Sequence, residues 1–368
     1  MVATLGGTLI KYLGSKRRLV PTLGQLFSAS EAATALDLFT GTTRVAQEFC
    51  RRGAHVTAVD SATYSEVLAQ CYVETDSADV ETTDVEDAIR CLEALTPTRG
   101  YFTKTFCEDS RYFQPKNGMR VDAIREGIDR YYPDGPLRPI LLTSLMEAAD
   151  AVDSTVGVQM AYLKQWAARA HKDLQMRPPV LTPGTGTAIR ADATQIVDSL
   201  PHVDLAYLDP PYNQHRYFTN YHIWETLIRW DQPDSYGIAM KRLDSRDPST
   251  KSIFNFKREM PPALAQTIKS VQADVLVVSF SNEGYVPLES LIEMCIARGE
   301  PVEVVSFDSK RYVGALIGIF NPSGEKVGAV SHTRNTEYVI LCGPPDRLAP
   351  MAAAVAAEVT PDAAARLF

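Results

Sequence analysis

A strand, a glycine turn, a helix and a second strand follow one another within residues 35–60, and few folds accommodate that order. Ala35-Leu36-Asp37-Leu38 reads as a buried strand, and Val45, Ala46, Phe49 and Cys50 share one helical face. Thr40 to Thr43 is left between them as a tight turn. Gly53 stops the helix, and His55-Val56-Thr57-Ala58-Val59-Asp60 is a second strand ending in an acid. Such a unit belongs to an α/β sheet and binds nucleotides at its carboxyl edge.

The turn lets backbone approach a ligand, and Asp60 is placed to accept hydrogen bonds from ribose hydroxyls. No G-x-G-x-x-G is present, which disfavours nicotinamide and flavin cofactors. Asp37, at the end of the first strand, suits a ligand carrying an amine cation, as S-adenosylmethionine does. Asp192 follows another short strand pattern and could reach an adenine amine of the same cofactor. The plain alternative is that Asp37 and Asp60 merely end strands and cap helices; three features in one unit favour the cofactor.

A second strand-ending acid lies at Asp209-Pro210-Pro211-Tyr212, after the apolar run Val203–Leu208. The two prolines block a helix and fix the backbone. Asp209 and the Pro210 carbonyl then offer two acceptors beside a flat ring, Tyr212. That set fits an exocyclic amine on a planar base. Taken alone it is equally a turn with an exposed tyrosine.

Lys11-Tyr12-Leu13-Gly14-Ser15-Lys16 is a basic turn ahead of a helical pattern from Arg17 to Phe27, able to hold an anion on backbone N–H groups. The net charge of −8 argues against non-specific coating of nucleic acid. Two local runs are basic, 159–180 and 238–260, the latter turn-rich and expected to be mobile. Within the first, Lys164, Arg169 and Lys172 are candidates to face nucleic acid, a solvated surface being the usual explanation of such runs. Six cysteines without a C-x-x-C and six histidines without a metal-binding spacing give no disulfide framework and no metal site. No run reaches membrane-spanning length, and a reducing cytoplasm is the expected setting.

Between 96 and 182 the pattern turns helical and aromatic. Leu142, Leu145, Met146, Ala149 and Val152 predict one helix, and Leu163, Trp166, Ala167 and Ala170 a second. The expected organisation is a sheet domain over 1–95 and 183–345, a helical insertion over 96–182, and a tail over 346–368 with a terminal helix from Ala352. Residues 214–225, rich in tyrosine and histidine, suit a loop that closes over a flipped base, and equally an ordinary packed loop. Val302–Phe307, Tyr312–Phe320 and Thr336–Cys342 are expected strands, the last two antiparallel through the 321–324 turn.

Together these residues resemble the D12 class of DNA N6-adenine methyltransferases, the DNA adenine methylase family. Lys11–Lys16 looks like its N-terminal cofactor motif, Asp37–Thr43 like its F-x-G-x-G, and Asp209–Tyr212 matches its D-P-P-Y. The motif order resembles the α arrangement, covering most of residues 8–342. One departure is Thr43, where glycine is common; its Cβ is expected to hold φ negative. The resemblance implies a Rossmann-like S-adenosylmethionine-dependent methyltransferase sheet whose insertion is the target recognition domain. It implies Asp209, Pro210, Pro211 and Tyr212 as catalytic, and Tyr12, Lys16, Asp37, Phe39, Gly41, Asp60 and Asp192 as the cofactor site. It also implies duplex DNA as substrate, a bacterial or phage setting, and a restriction-modification role beside a separate endonuclease. The rivals are a ribosomal RNA guanine-N2 or cytosine-N4 enzyme, and a non-catalytic DNA-binding protein on the same fold.

Overall fold

A computed structural model describes residues 10–12, 16–184, 186–310, 319–320, 326–328 and 334–356. In chain order its strands are β1 (Thr34–Asp37), β2 (His55–Asp60), β3 (Thr187–Arg190), β4 (Val203–Leu208), β5 (Ser235–Tyr236), β6 (Lys241–Arg242), β7 (Ala273–Ser281), β8 (Val302–Lys310), β9 (Ile319–Phe320), β10 (Lys326–Gly328) and β11 (Arg334–Cys342). The described residues of 1–24, 33–193 and 215–252 make one compact unit; those of 25–32, 194–214 and 253–368 make a second.

The first unit holds three parallel strands in the order β3-β2-β1. Leu36 lies opposite Thr57, and Ala58 opposite Ala188. The apolar runs of β1 and β2 follow from their burial on both faces of a parallel sheet. The helix Arg44–Arg51 returns the chain from β1 to β2 and buries the expected face: Val45, Ala46, Phe49 and Cys50.

The rest of this unit is helical, around one core shared by the helices Thr63–Ala69, Thr82–Glu93, Pro115–Tyr131, Leu137–Ala151 and His222–Arg229. The aromatic run from 101 to 113 belongs to that core: Phe102, Phe106, Tyr112 and Phe113 are buried. Buried polar groups tie the helices end to end. Asp122 accepts the N–H groups of Gly100, Phe102 and Thr103 at 2.8–3.0 Å. Arg125 donates to the carbonyls of Leu227 (2.8 Å) and Ile228 (2.9 Å), the open C-terminal acceptors of helix His222–Arg229.

Two expectations fail here. The second helix expected over Leu163–Ala170 is absent; only a 3-10 turn, Ala168–His171, forms. Its backbone is held by other partners: Leu163 N donates to Ser154 O, Ala167 N to Ser154 Oγ, and Arg169 grips Asp153. The stretch 217–225 is not a loop over a base. Tyr217–Asn220 and His222–Arg229 are helical, and Tyr221 to Ile228 are buried. The polar side chains there concealed a buried helix, because most of them bond within the core.

In the second unit β4 runs parallel to β7, and β11 lies antiparallel between β7 and β8. Ile340 sits opposite Val278 on one side and Val304 on the other. The expected pairing of β11 with the 312–320 stretch is therefore replaced. Val339–Cys342 is buried and apolar, which suits a strand with neighbours on both sides. The described part of the 312–320 stretch, β9, pairs with β10 instead; residues 312–318 and 321–324 lie outside the described residues. The helix Pro345–Ala356 begins earlier than the expected start at Ala352 and buries Leu348, Met351 and Val355. No helix among the described residues is long and apolar enough to cross a membrane.

Candidate cofactor and catalytic sites

In the first unit the β1 and β2 carboxyl ends carry Asp37 and Asp60. Asp37 is buried and accepts the Thr40 hydroxyl at 2.9 Å. Asp60 is half-buried. Its two carboxylate oxygens each accept a backbone N–H at 2.9 Å, from Gly41 across the turn and from Ala62 beyond the strand. Burial pushes its carboxyl above the usual range, and these N–H groups pull it back. Each oxygen still has lone-pair capacity for a hydroxyl donor. β3 joins the same edge, because Ala191 N donates to the Asp60 carbonyl at 3.0 Å; Asp192 is the next residue and half-buried.

Gly41 sits at φ +51, where a Cβ would lie 3.2 Å from the Tyr12 ring. The turn is thus built for close approach. Thr43 contradicts the expected geometry: its φ is +60, left-handed. The conformation is held by Thr43 N to Thr40 O (2.7 Å), and by the Gln47 amide donating to the Thr43 hydroxyl (2.9 Å). A β-branched residue there costs about 1–2 kcal/mol against glycine, so the turn keeps its left-handed shape despite the Cβ.

Tyr12 stacks on Tyr221 (4.5 Å between centroids) and Tyr217 (5.3 Å), with Tyr64 edge-on at 6.4 Å. The Tyr12 and Tyr64 hydroxyls are 3.2 Å apart, and burial raises both phenols well above their usual range. Glu225, one further step of four along, accepts the Thr63 N–H (3.1 Å) and hydroxyl (2.7 Å). Tyr64 was not picked out from the sequence; Tyr217, Tyr221 and Glu225 lay in the 214–225 stretch, but as groups against a base and not beside the cofactor turn. For three of them the signal was the fourfold spacing 217, 221, 225, one face of a helix. Behind this wall Lys11 pairs with buried Asp150 (2.8 Å) and Asp153 (3.2 Å). Lys16 is buried, and its carbonyl accepts the N–H groups of Leu19 and Val20. Phe39 is half-buried; Leu13, Gly14 and Ser15 lie outside the described residues.

In the second unit Asp209, Pro210, Pro211 and Tyr212 leave β4 at its carboxyl end, as the strand pattern predicts. The loop is held by residues before, within and after β7. Tyr212 O accepts Tyr285 N (2.9 Å), Asn213 O accepts the Asn255 amide (2.9 Å), and the Tyr212 ring lies tilted against Phe280 at 5.7 Å. Gly284 makes room for that ring, since a Cβ there would fall 2.2 Å from Phe280 Cε1.

The basic candidates fare unevenly. Arg169 donates to Asp153 at 2.6 and 2.9 Å and to Thr155 O at 2.6 Å, which occupies its guanidinium inside the protein; Lys164 and Lys172 are exposed. The 238–260 run carries defined elements, with Arg242 buried. His222 is buried and donates from Nε2 to Gln159 O (3.0 Å); burial pushes it down to about 3, so it is a neutral core group. No cluster of three or more His, Cys, Asp or Glu among the described residues is arranged to hold a metal.

Residues 12–273 match the family model of the D12 class N6 adenine-specific DNA methyltransferases. Over 301 residues the chain is 29% identical to the type II methyltransferase M.NlaIII of Neisseria lactamica, covering 77% of this chain and 87% of that one. It is 28% identical to the type II methyltransferase M.CviAII of Paramecium bursaria Chlorella virus 1, over 85% of this chain and 95% of that one. It is 27% identical to the type II methyltransferase M.FokI of Planomicrobium okeanokoites, of whose length it spans about half, 47%.

Proposed function

Because the chain belongs to the D12 class of N6 adenine-specific DNA methyltransferases, we propose that it methylates adenine N6 at a specific site in duplex DNA through the cofactor turn at Asp37 and Asp60 and the D-P-P-Y at Asp209. The family's methyl donor is S-adenosylmethionine, which supplies a methyl group on a sulfonium to a nitrogen nucleophile. The residues that would hold it are Tyr12, Lys16, Asp37, Phe39, Gly41, Asp60 and Asp192. The turn is open to close approach at Gly41, and Asp60 keeps acceptor capacity for ribose hydroxyls.

Asp209 and the Pro210 carbonyl accept the two N6 protons of an adenine turned out of the duplex, and Pro211 fixes the backbone that aims that carbonyl. Two acceptors draw the nitrogen lone pair out of ring conjugation and toward the electrophile. Tyr212 stacks on the base. Positioning and electrostatics suffice, with no covalent enzyme intermediate. The observation that carries the reading is the rigid presentation of an unaltered D-P-P-Y at the end of β4, inside a chain whose family is fixed.

Residues 96–182 are proposed as part of the target recognition domain. A restriction-modification role beside a separate endonuclease draws on relatives named as type II methyltransferases and modification methylases. The cytoplasm, where DNA is accessible, is the proposed setting. The test is methyl transfer from labelled S-adenosylmethionine to mixed-sequence duplex DNA, followed by nucleoside analysis, with Asp209→Ala in parallel. N6-methyladenine from wild type alone supports the proposal. Label in cytosine, in RNA, or equally from Asp209→Ala overturns it.

A further inference from the structure

Ile238 is 83% exposed, the most exposed large apolar side chain among the described residues. A lone surface isoleucine ordinarily needs no explanation; this one is mounted on a stiff support. It sits in the loop 237–240 between β5 and β6, where Ser235 pairs with Arg242 and Tyr236 with Lys241. Gly237 and Met240 take positive φ (+71 and +45), and Met240 N donates to Gly237 O at 3.0 Å, which pushes Ile238 outward.

The mount is built from the interior. Arg242, 1% exposed, grips both Asp231 oxygens at 2.7 Å and both Asp244 oxygens at 2.7 and 3.0 Å. It also reaches Thr226 Oγ1 at 3.2 Å, on helix His222–Arg229. From the insertion, the Tyr112 hydroxyl lies 3.0 Å from Ala239 O, and Tyr101 donates to Pro233 O at 2.5 Å. Arg242 and Arg229 together balance Asp231 and Asp244 at the hairpin base. Of the other charges over 234–251, Lys241, Lys251 and Arg246, whose guanidinium covers the Tyr236 ring at 3.8 Å, outnumber Asp234 and Asp247 by one. Thr226 stands five residues beyond Tyr221, which stacks on Tyr12. At 1.5 Å per residue that is about 8 Å along one helix, so the finger and the tyrosine wall of the cofactor turn share a rigid support.

We propose that the β5–β6 hairpin is a DNA finger whose tip, Ile238, enters the base stack and holds open the gap from which the target adenine is drawn. Apolar wedges of this kind unstack a base step, and the net positive charge around it suits the flanking phosphates. The inference rests on the DNA methyltransferase reading above. A protein partner fits poorly, because a single side chain is far smaller than a stable interface.

The test first maps the methylated adenine in duplex DNA, then compares two oligonucleotide duplexes carrying that site. In one the target adenine is paired; in the other it faces an abasic position. Ile238→Ala is expected to lose at least about tenfold in kcat/KM on the paired duplex and to recover to about wild-type rate on the abasic one, because an unpaired base is easier to extrude. Ile238→Leu is expected to retain activity on both. The salt slope of DNA affinity should not change, since no phosphate contact is removed. Equal rates for wild type and Ile238→Ala on paired DNA, or equal loss on both duplexes, would overturn the wedge while leaving the reaction standing. Loss of cofactor binding in Ile238→Ala would make the hairpin merely structural and overturn it too. Absence of methyl transfer by wild type would overturn the reaction and the wedge with it.

Discussion

Two of the chain's strand-ending acids, Asp60 and Asp209, sit on differently supported turns. Asp60 holds its own surroundings: its carboxylate takes the N–H groups of Gly41 and Ala62, so the acid that would meet the cofactor also shapes the turn. The Asp209 loop is held at two backbone carbonyls, by Tyr285 N and the Asn255 amide, and at the Tyr212 ring by Phe280. The first arrangement couples binding to stability. The second holds the loop that carries the carboxylate at its neighbours, Tyr212 and Asn213.

The sharpest way to break this contrast is to remove each acid. Asp209→Ala is expected to lower kcat by about 10²- to 10³-fold, as loss of a preorganised electrostatic group does, with cofactor affinity and melting temperature near wild type. Asp60→Ala is expected to lose about 10- to 100-fold in S-adenosylmethionine affinity by calorimetry. It is also expected to destabilise the protein by about 1–3 kcal/mol, because two N–H groups lose their acceptor. If Asp209→Ala melted earlier and Asp60→Ala did not, the contrast would be inverted.

A smaller effect sharpens the second support. Gly284→Ala puts a Cβ 2.2 Å from Phe280 Cε1, so the ring beneath Tyr212 must move. Overpacking of about 1–3 kcal/mol is expected, with slower methyl transfer and unchanged cofactor affinity. Unchanged turnover would show that Phe280 does not position Tyr212.

A pH measurement probes the packing behind the first acid. Burial raises the Glu147 carboxyl from 4.5 to about 7, and the Tyr72 hydroxyl donates to it at 2.6 Å. The folded state therefore holds a proton that the unfolded chain releases, so this group's contribution to stability falls as pH rises from 4.5 to about 7. His222, pushed down from 6.5 to about 3, acts with the opposite sign and loses stability as pH falls through that window. The difference between wild type and Glu147→Gln isolates the first term: the variant's stability should gain on wild type as pH rises from 4.5 to 7. A pH-independent difference would refute the shift.

The smallest expected effect concerns Thr43. Thr43→Gly relieves left-handed strain of about 1–2 kcal/mol but loses the hydroxyl that Gln47 bonds, so stability should stay within about 1 kcal/mol of wild type. A large loss would mean that the hydroxyl, not the backbone, sets the turn.

What could be read from the sequence is local. Periods of two and 3.6 fixed β1, the helix Arg44–Arg51, β2 and β4, and with them the α/β class and the acid at the end of each strand. The D-P-P-Y was legible because prolines and an acid act through their own covalent geometry. What only the tertiary structure decided depends on partners distant in the chain. Thr43 accepts a positive φ because Thr40 and Gln47 hold it. The 163–170 stretch forgoes its helix because Ser154 and Asp153 capture its donors. Tyr217, Tyr221 and Glu225 became a wall beside Gly41, not a lid, because helix His222–Arg229 is capped by Arg125, about a hundred residues upstream. Periodicity reports which face of an element is apolar; it carries no information about which distant group will satisfy a polar one.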